Sequence, residues 1–272
     1  MNFFKTLDET LNAPNPTDKF SLLEKLWQAF INDGVTYDDE PIHLLKTPAY
    51  SGFCTVVDPR TLAKRTKLST QEGRITFIHA IAHIEYSAVD LALDAAYRFR
   101  NMPHDYYKDW LEVACDEMRH FRLLEELLKS QGSFYGDLPV HDALFEAAQR
   151  TQESFLDRMA IVPRFMEANG LDANPRLITR LSGFKKESFI QEFISVLEII
   201  LEEEVDHVLK GDRWFSYACE KEGVDKSVYF DIVEKYYPDT FPKQIDINVK
   251  ARQEAGFSCS ELKKIGDVRC EN

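Results

Sequence analysis

Two tetrapeptides, Glu117-x-x-His120 and Glu204-x-x-His207, each set a carboxylate and an imidazole three residues apart. On a helix, residues three apart share a face, so each pair can turn one oxygen donor and one nitrogen donor toward the same point. One such motif arises readily by chance in a glutamate-rich helix. Two carry weight here because each interrupts an apolar stripe. Glu117 and His120 break the run Val113, Phe121, Leu124, Leu128; Glu204 and His207 follow Ile190, Phe193, Leu197, Ile200. Glu85 stands in the stripe Ile78, Ile81/Ala82, Ala88/Val89, Ala92, Ala96, and Glu167 follows Leu156, Ala160, Pro163. A buried, unpaired carboxylate protonates, finds partners or binds a metal. Four of them on successive helices, with two histidines, make the ligand set of a two-metal carboxylate bundle. Glu85, Glu117 and His120 would serve one ion and Glu167, Glu204 and His207 the other, with Glu117 and Glu204 bridging. Hard oxygen donors with one imidazole per ion favour iron, with manganese possible, over zinc.

The elements that must position these residues are read from apolar spacings of three and four. Four long helices are predicted, over roughly 74–100, 104–130, 142–169 and 186–211, and no alternating strand pattern interrupts them. Gly132 and Gly170 stand where the second and third should stop. Residues 1–70 read as a helical and irregular extension packed on the bundle, with Asp18 capping a helix that Gly34 ends. Residues 71–212 form the four-helix bundle. Residues 213–272 form a C-terminal extension of shorter helices, over 225–236, 246–255 and 259–265, the last capped by Ser258 or Ser260. The whole is read as one all-α structural domain.

Glu85 precedes Arg100 by 15 residues and Glu117 follows Asp105 by 12. At ~1.5 Å per residue, an antiparallel hairpin sets the two glutamates at similar depth. In the second half Glu153 competes with Glu167, since it falls mid-helix on the same stripe. Glu167 lies 37 residues before Glu204, close to the 32 between Glu85 and Glu117, whereas Glu153 lies 51 before it. His79 and His83 read as satisfied polar contacts rather than ligands, and His141 as structural. Asp90, Asp116, Glu203 and Asp206 are available to orient ligand histidines. Tyr86 and Tyr97 read as core, although they could lie near the site. Pro163 should kink the third helix.

Composition bounds the function classes. With 33 basic against 46 acidic residues, the chain carries a net charge of −13. Such a surface disfavours non-specific nucleic-acid binding, leaving only a specific RNA conceivable. No apolar run reaches the ~20 residues of a membrane span. No basic, then apolar, leader opens the chain. The five cysteines, Cys54, Cys115, Cys219, Cys259 and Cys270, form no CxxC pair and read as reduced thiols of a cytoplasmic protein.

Six blocks occur in order: HAIAHIEYSAVDLALDAAYRF, DWLEVACDEMRHFRLLEELL, YGDLPVHDALFEAA, RMAIVPRFMEANGLDANP, EEEVDHVLKGDRWF and NVKARQEAGF. Together, over roughly residues 45–258, they resemble a bacterial and plant family of unknown function within the ferritin-like superfamily. They are also distantly similar to its di-iron tRNA hydroxylase branch. The resemblance implies a ferritin-like four-helix bundle with extra terminal helices. It implies ligands at Glu85, Glu117, His120, Glu167, Glu204 and His207, and so favours Glu167 over Glu153. The expected activity is that of an oxidoreductase activating dioxygen to oxidise or hydroxylate a small-molecule substrate, in a chain that could form a homodimer. Iron handling or peroxide removal without an organic substrate is the second reading. A non-catalytic helical bundle is the third.

Overall fold

A computed structural model describes residues 1–37, 41–62 and 67–270. Among them the regular structure is helical: eleven α-helices, two short 3-10 turns and one π-helical segment. Extended pairing is limited to isolated bridges such as Val56 with Val140 and Lys243 with Gly266. The expected all-α class is what the chain adopts. It divides into two compact units, Met1–Ala148 and Gln149–Asn272.

The first unit is built on α3 (Gln71–Arg98) and α4 (His104–Ser130). Both helices start and stop within three residues of the predicted positions. Thr70 caps α3 by accepting from the Gly73 amide at 3.1 Å. Pro103 sits just before α4, where its missing N–H costs nothing. The two run antiparallel: the Tyr106 hydroxyl reaches Ala95 O at 2.9 Å, and the Gln71 amide at the far end reaches Gln131 O at 3.1 Å. Two further helices, α1 (Phe3–Leu11) and α2 (Pro16–Ile31), cover this hairpin. Phe20 of α2 packs on Tyr86 and Phe121, and the fully buried Lys19 ammonium pairs with Asp90. The cap of α2 is Asn15, not Asp18 as expected; Pro16 takes the first helical position and Asp18 the third. That helix also ends at Ile31, before Gly34, because Asn32 already serves as its C-cap.

The third predicted helix is not continuous. A short α5 (Ala143–Arg150) ends in a turn over 151–154, and Ser154 caps a new α6 (Phe155–Ile161). The π-helical segment Val162–Glu167 follows, and α7 (Ala168–Ser182) continues from it. Gly170 therefore lies inside a helix rather than beyond one. Pro163 does not simply kink the chain. A proline lacks the N–H for the α-helical bond, and the widened π turn accommodates that loss.

The long α8 (Ser188–Glu222) overruns its predicted end near Gly211. Gly211 is not a stop but a close approach: a Cβ there would fall 2.5 Å from Pro163 Cβ. The stop is Gly223, in the left-handed conformation at φ 67°. Three short helices complete the unit: α9 (Val228–Tyr236), α10 (Val249–Glu254) and α11 (Cys259–Ile265). Ser258 and Glu261 form a reciprocal capping box on α11, as the Ser258 alternative anticipated.

Two buried arginines bind these pieces together. Arg164, in the π segment, donates to Asp212 and Glu261, each at 2.7 Å, and lies against the rings of Phe215, Tyr229 and Phe257. Arg252 of α10 makes a two-pronged pair with Asp172 of α7 at 2.9 and 2.7 Å. The reading of five reduced thiols needs correction: Cys259 and Cys270 form a disulfide, while Cys54, Cys115 and Cys219 are free. Residues 266–270 fold back over α11 and bring the two sulfurs together, a return no spacing rule announces.

Candidate metal centre

Glu85 comes from α3, and Glu117 and His120 from the facing stretch of α4. Each replaces an apolar side chain in the hairpin core, so each is forced inward by the same periodicity that buries its neighbours. Glu85 is 4% exposed, and Glu117 and His120 are fully buried. His120 Nδ1 lies 3.1 Å from Glu85 Oε2 and 3.4 Å from Glu117 Oε2. The ligand atoms these three residues offer all lie within 4.8 Å of one another.

The electrostatics follow from that crowding. Burial, and then the neighbouring Glu117 carboxylate, push the Glu85 carboxyl above its ordinary range, because two like charges in a dry site resist joint ionisation. Burial alone would depress His120, but hydrogen bonds to Glu117 and Glu85, with their charges, hold it above the usual imidazole range. Two carboxylates facing one imidazole are short of positive charge, and a divalent cation would supply it.

In the second unit, Glu204 and His207 sit on α8 and are both buried, with His207 Nδ1 4.0 Å from Glu204 Oε2. Glu167 is half-buried at the end of the π segment, which packs against α8. It falls outside the tight clusters of ligand atoms among the described residues. Glu153, the rival, was expected mid-helix; it stands exposed in the turn over 151–154, where nothing directs it inward.

The neighbouring candidates resolve as contacts. His83 Nδ1 meets the Tyr135 hydroxyl at 2.8 Å, and its Nε2 meets His141 O at 2.6 Å. His79 Nε2 accepts from the Gly136 amide at 3.0 Å and the Leu138 amide at 3.4 Å. His83 is thus a satisfied polar group, as expected; His79 is held through Nε2, and His141 also closes a local turn. Asp116 pairs with Arg119, Asp206 with Lys210 and Asp90 with Lys19. The Tyr86 ring packs among Phe20, Phe121 and Tyr135, and Tyr97 holds the His43 amide at 2.9 Å. What the sequence reading missed is Tyr135, which stacks on His83, meets Phe121 edge-on and closes the loop 131–142 over α3. Its place in the block YGDLPVHD was visible, but nothing in a loop's spacing assigns a partner.

Comparison with known proteins agrees over almost the whole chain. An uncharacterized protein of Haemophilus influenzae is 36% identical over 278 residues, which cover 98% of this chain and 94% of the relative. No solved structure matches. The model of one family, described as protein of unknown function (DUF455), matches residues 12–263, and the chain belongs to that family.

Proposed function

We propose that this protein is a ferritin-like carboxylate protein that binds two metal ions, iron in preference to manganese. One ion is held by Glu85, Glu117 and His120, the other by Glu167, Glu204 and His207. The observation that carries this reading is the buried triad of the first unit. Three donors within 4.8 Å, two of them carboxylates, fit a hard divalent cation and leave an excess of negative charge without one. The second Glu-x-x-His pair repeats the same donor chemistry on α8, and Glu167, at the end of the π segment that packs against α8, is the carboxylate proposed to complete it.

A loaded pair of irons supplies the chemistry of dioxygen activation, and on that basis the proposed activity is oxidation or hydroxylation of a small organic substrate. The chain's own part is positioning and exclusion. The rigid α3–α4 hairpin holds Glu85 opposite His120, and α4 alone fixes the Glu117–His120 spacing. Full burial of Glu117 and His120 keeps bulk water off the donors. The same burial, with the mutual repulsion of the two carboxylates, sets the protonation of the triad.

Elemental analysis of the purified protein, beside Glu117→Ala and His207→Ala, tests this directly. The expected result is about two irons or manganese per chain in the parent and a loss in each variant. Dioxygen uptake coupled to turnover of an organic compound would then separate the oxidase reading from simple iron handling. No metal after anaerobic iron loading would overturn the proposal and leave a structural helical bundle.

A further inference from the structure

On the outer side of α3 in the first unit lies a cavity of about 480 Å³, bounded by Ile75, Thr76, His79, Ala80, Leu138 and Pro139. The walls are mostly carbon. Thr76 turns its hydroxyl back to Glu72 O at 2.8 Å, so it adds little polarity. The other polar side chains on the lining are Gln71, whose amide is engaged with Gln131 O at 3.1 Å, Glu72, and His79, which is 2% exposed.

The state of that ring is set by its contacts. Nε2 accepts hydrogen bonds from the Gly136 and Leu138 amides, so it cannot carry the proton of the neutral ring. The proton then sits on Nδ1, which has no acceptor among the described residues. Burial, against a weaker opposing pull from Asp137, pushes the ring down to about 4, and it is neutral at physiological pH. The cavity thus has mostly carbon walls, and the neutral His79 ring on its lining carries one N–H without a partner among the described residues. No cation lines it among the described residues, and Glu72 stands at its rim, so anions are disfavoured.

We propose that this cavity is a binding site for an uncharged, largely apolar small molecule bearing a carbonyl oxygen, which accepts a hydrogen bond from His79 Nδ1. Its size suits a ligand of one or two rings, within the range of ordinary small-molecule sites. The site is independent of the metal reading. His79 precedes Glu85 by six residues on α3, about 240° around the helix, and so faces away from the triad.

The probe is 6-propionyl-2-(dimethylamino)naphthalene, a neutral ketone whose emission reports its surroundings, titrated into the full chain with and without added iron. Saturable binding with a blue shift is expected in both states. Ala80→Leu fills the cavity from the helix side without touching the loop and should weaken binding at least about tenfold. If that variant does not fold, Thr76→Leu, one turn earlier, serves the same purpose. In the parent protein, the ring ¹⁵N spectrum should show His79 protonated at Nδ1, with that proton shifting as ketone is added. Absence of saturable binding, undiminished binding in the filled variant, or equal affinity for an anionic naphthalene sulfonate would each overturn the proposal.

Discussion

At the scale of single residues, the buried cations show how tightly this chain commits charge to architecture. Lys243 donates to Asn169 and, at 3.2 Å, to Asp172, inside a site that Arg252 already occupies. Burial first, and then the Arg252 charge, push its ammonium down to about 8, against the upward pull of Asp172. The sign of the consequence is definite. Between about pH 8 and 10.5 the unfolded chain holds this proton while the folded chain has released it, so stability rises with pH across that window. Lys243→Met lacks the titration. The stability difference between parent and variant should therefore grow in the parent's favour by about 2 kcal/mol from pH 8 to pH 10, read by urea denaturation. A difference that stays flat would show that Lys243 keeps its proton in the fold. The glutamates at 85, 117 and 204 belong to the same scale, and they were readable in the sequence because each violates a stripe whose other members are apolar. Asp172 was not readable: its partner lies 80 residues on, and no local pattern pairs them.

At the scale of elements, two glycines of the second unit respond in opposite directions to the same change. Gly211→Ala forces a Cβ to within 2.5 Å of Pro163, whose ring cannot turn aside. A destabilisation of about 1–3 kcal/mol is expected, despite the better helix propensity of alanine. Gly170→Ala meets nothing within 4 Å, in a helix, and should stabilise by about 0.5–1 kcal/mol. Thermal melts of the two variants decide it, and equal shifts would contradict the close approach. Both glycines also mark where element reading failed. Gly170 is expected just past the third helix yet lies inside α7; Gly211 ends the predicted range of the fourth helix yet is a contact point along α8. The first two bundle helices were readable to within a turn because their periodicity runs unbroken and Thr70, Pro103 and Gly132 punctuate it. The third was not, since a turn over 151–154 and a π segment divide what one apolar stripe suggested was continuous.

At the scale of the whole molecule, no helix among the described residues is long and apolar enough to cross a membrane. The tail is fastened covalently, since Cys259–Cys270 closes a loop of sequence separation 11. In the chain-entropy view such a closure contributes about 3 kcal/mol when the loop unfolds with the rest. Adding a phosphine reductant, or making Cys270→Ser, should lower the denaturation midpoint accordingly. An unchanged midpoint would mean that the tail comes loose before the unit unfolds. Spacing alone could not reveal this link, because a separation of 11 matches no metal or redox motif; only the return of residues 266–270 creates it. The net charge of −13, by contrast, is read directly.

The π segment Val162–Glu167 has one last implication, for how relatives of this chain can vary. A π turn is an α-turn with one residue inserted. Deleting a single residue there would restore an ordinary helix and rotate all of α7 by about 100°. Asp172 would swing away from Arg252, breaking their two-pronged pair. Homologues are therefore expected to exchange side chains through this stretch while keeping its residue count, so that insertions and deletions collect in the turns on either side.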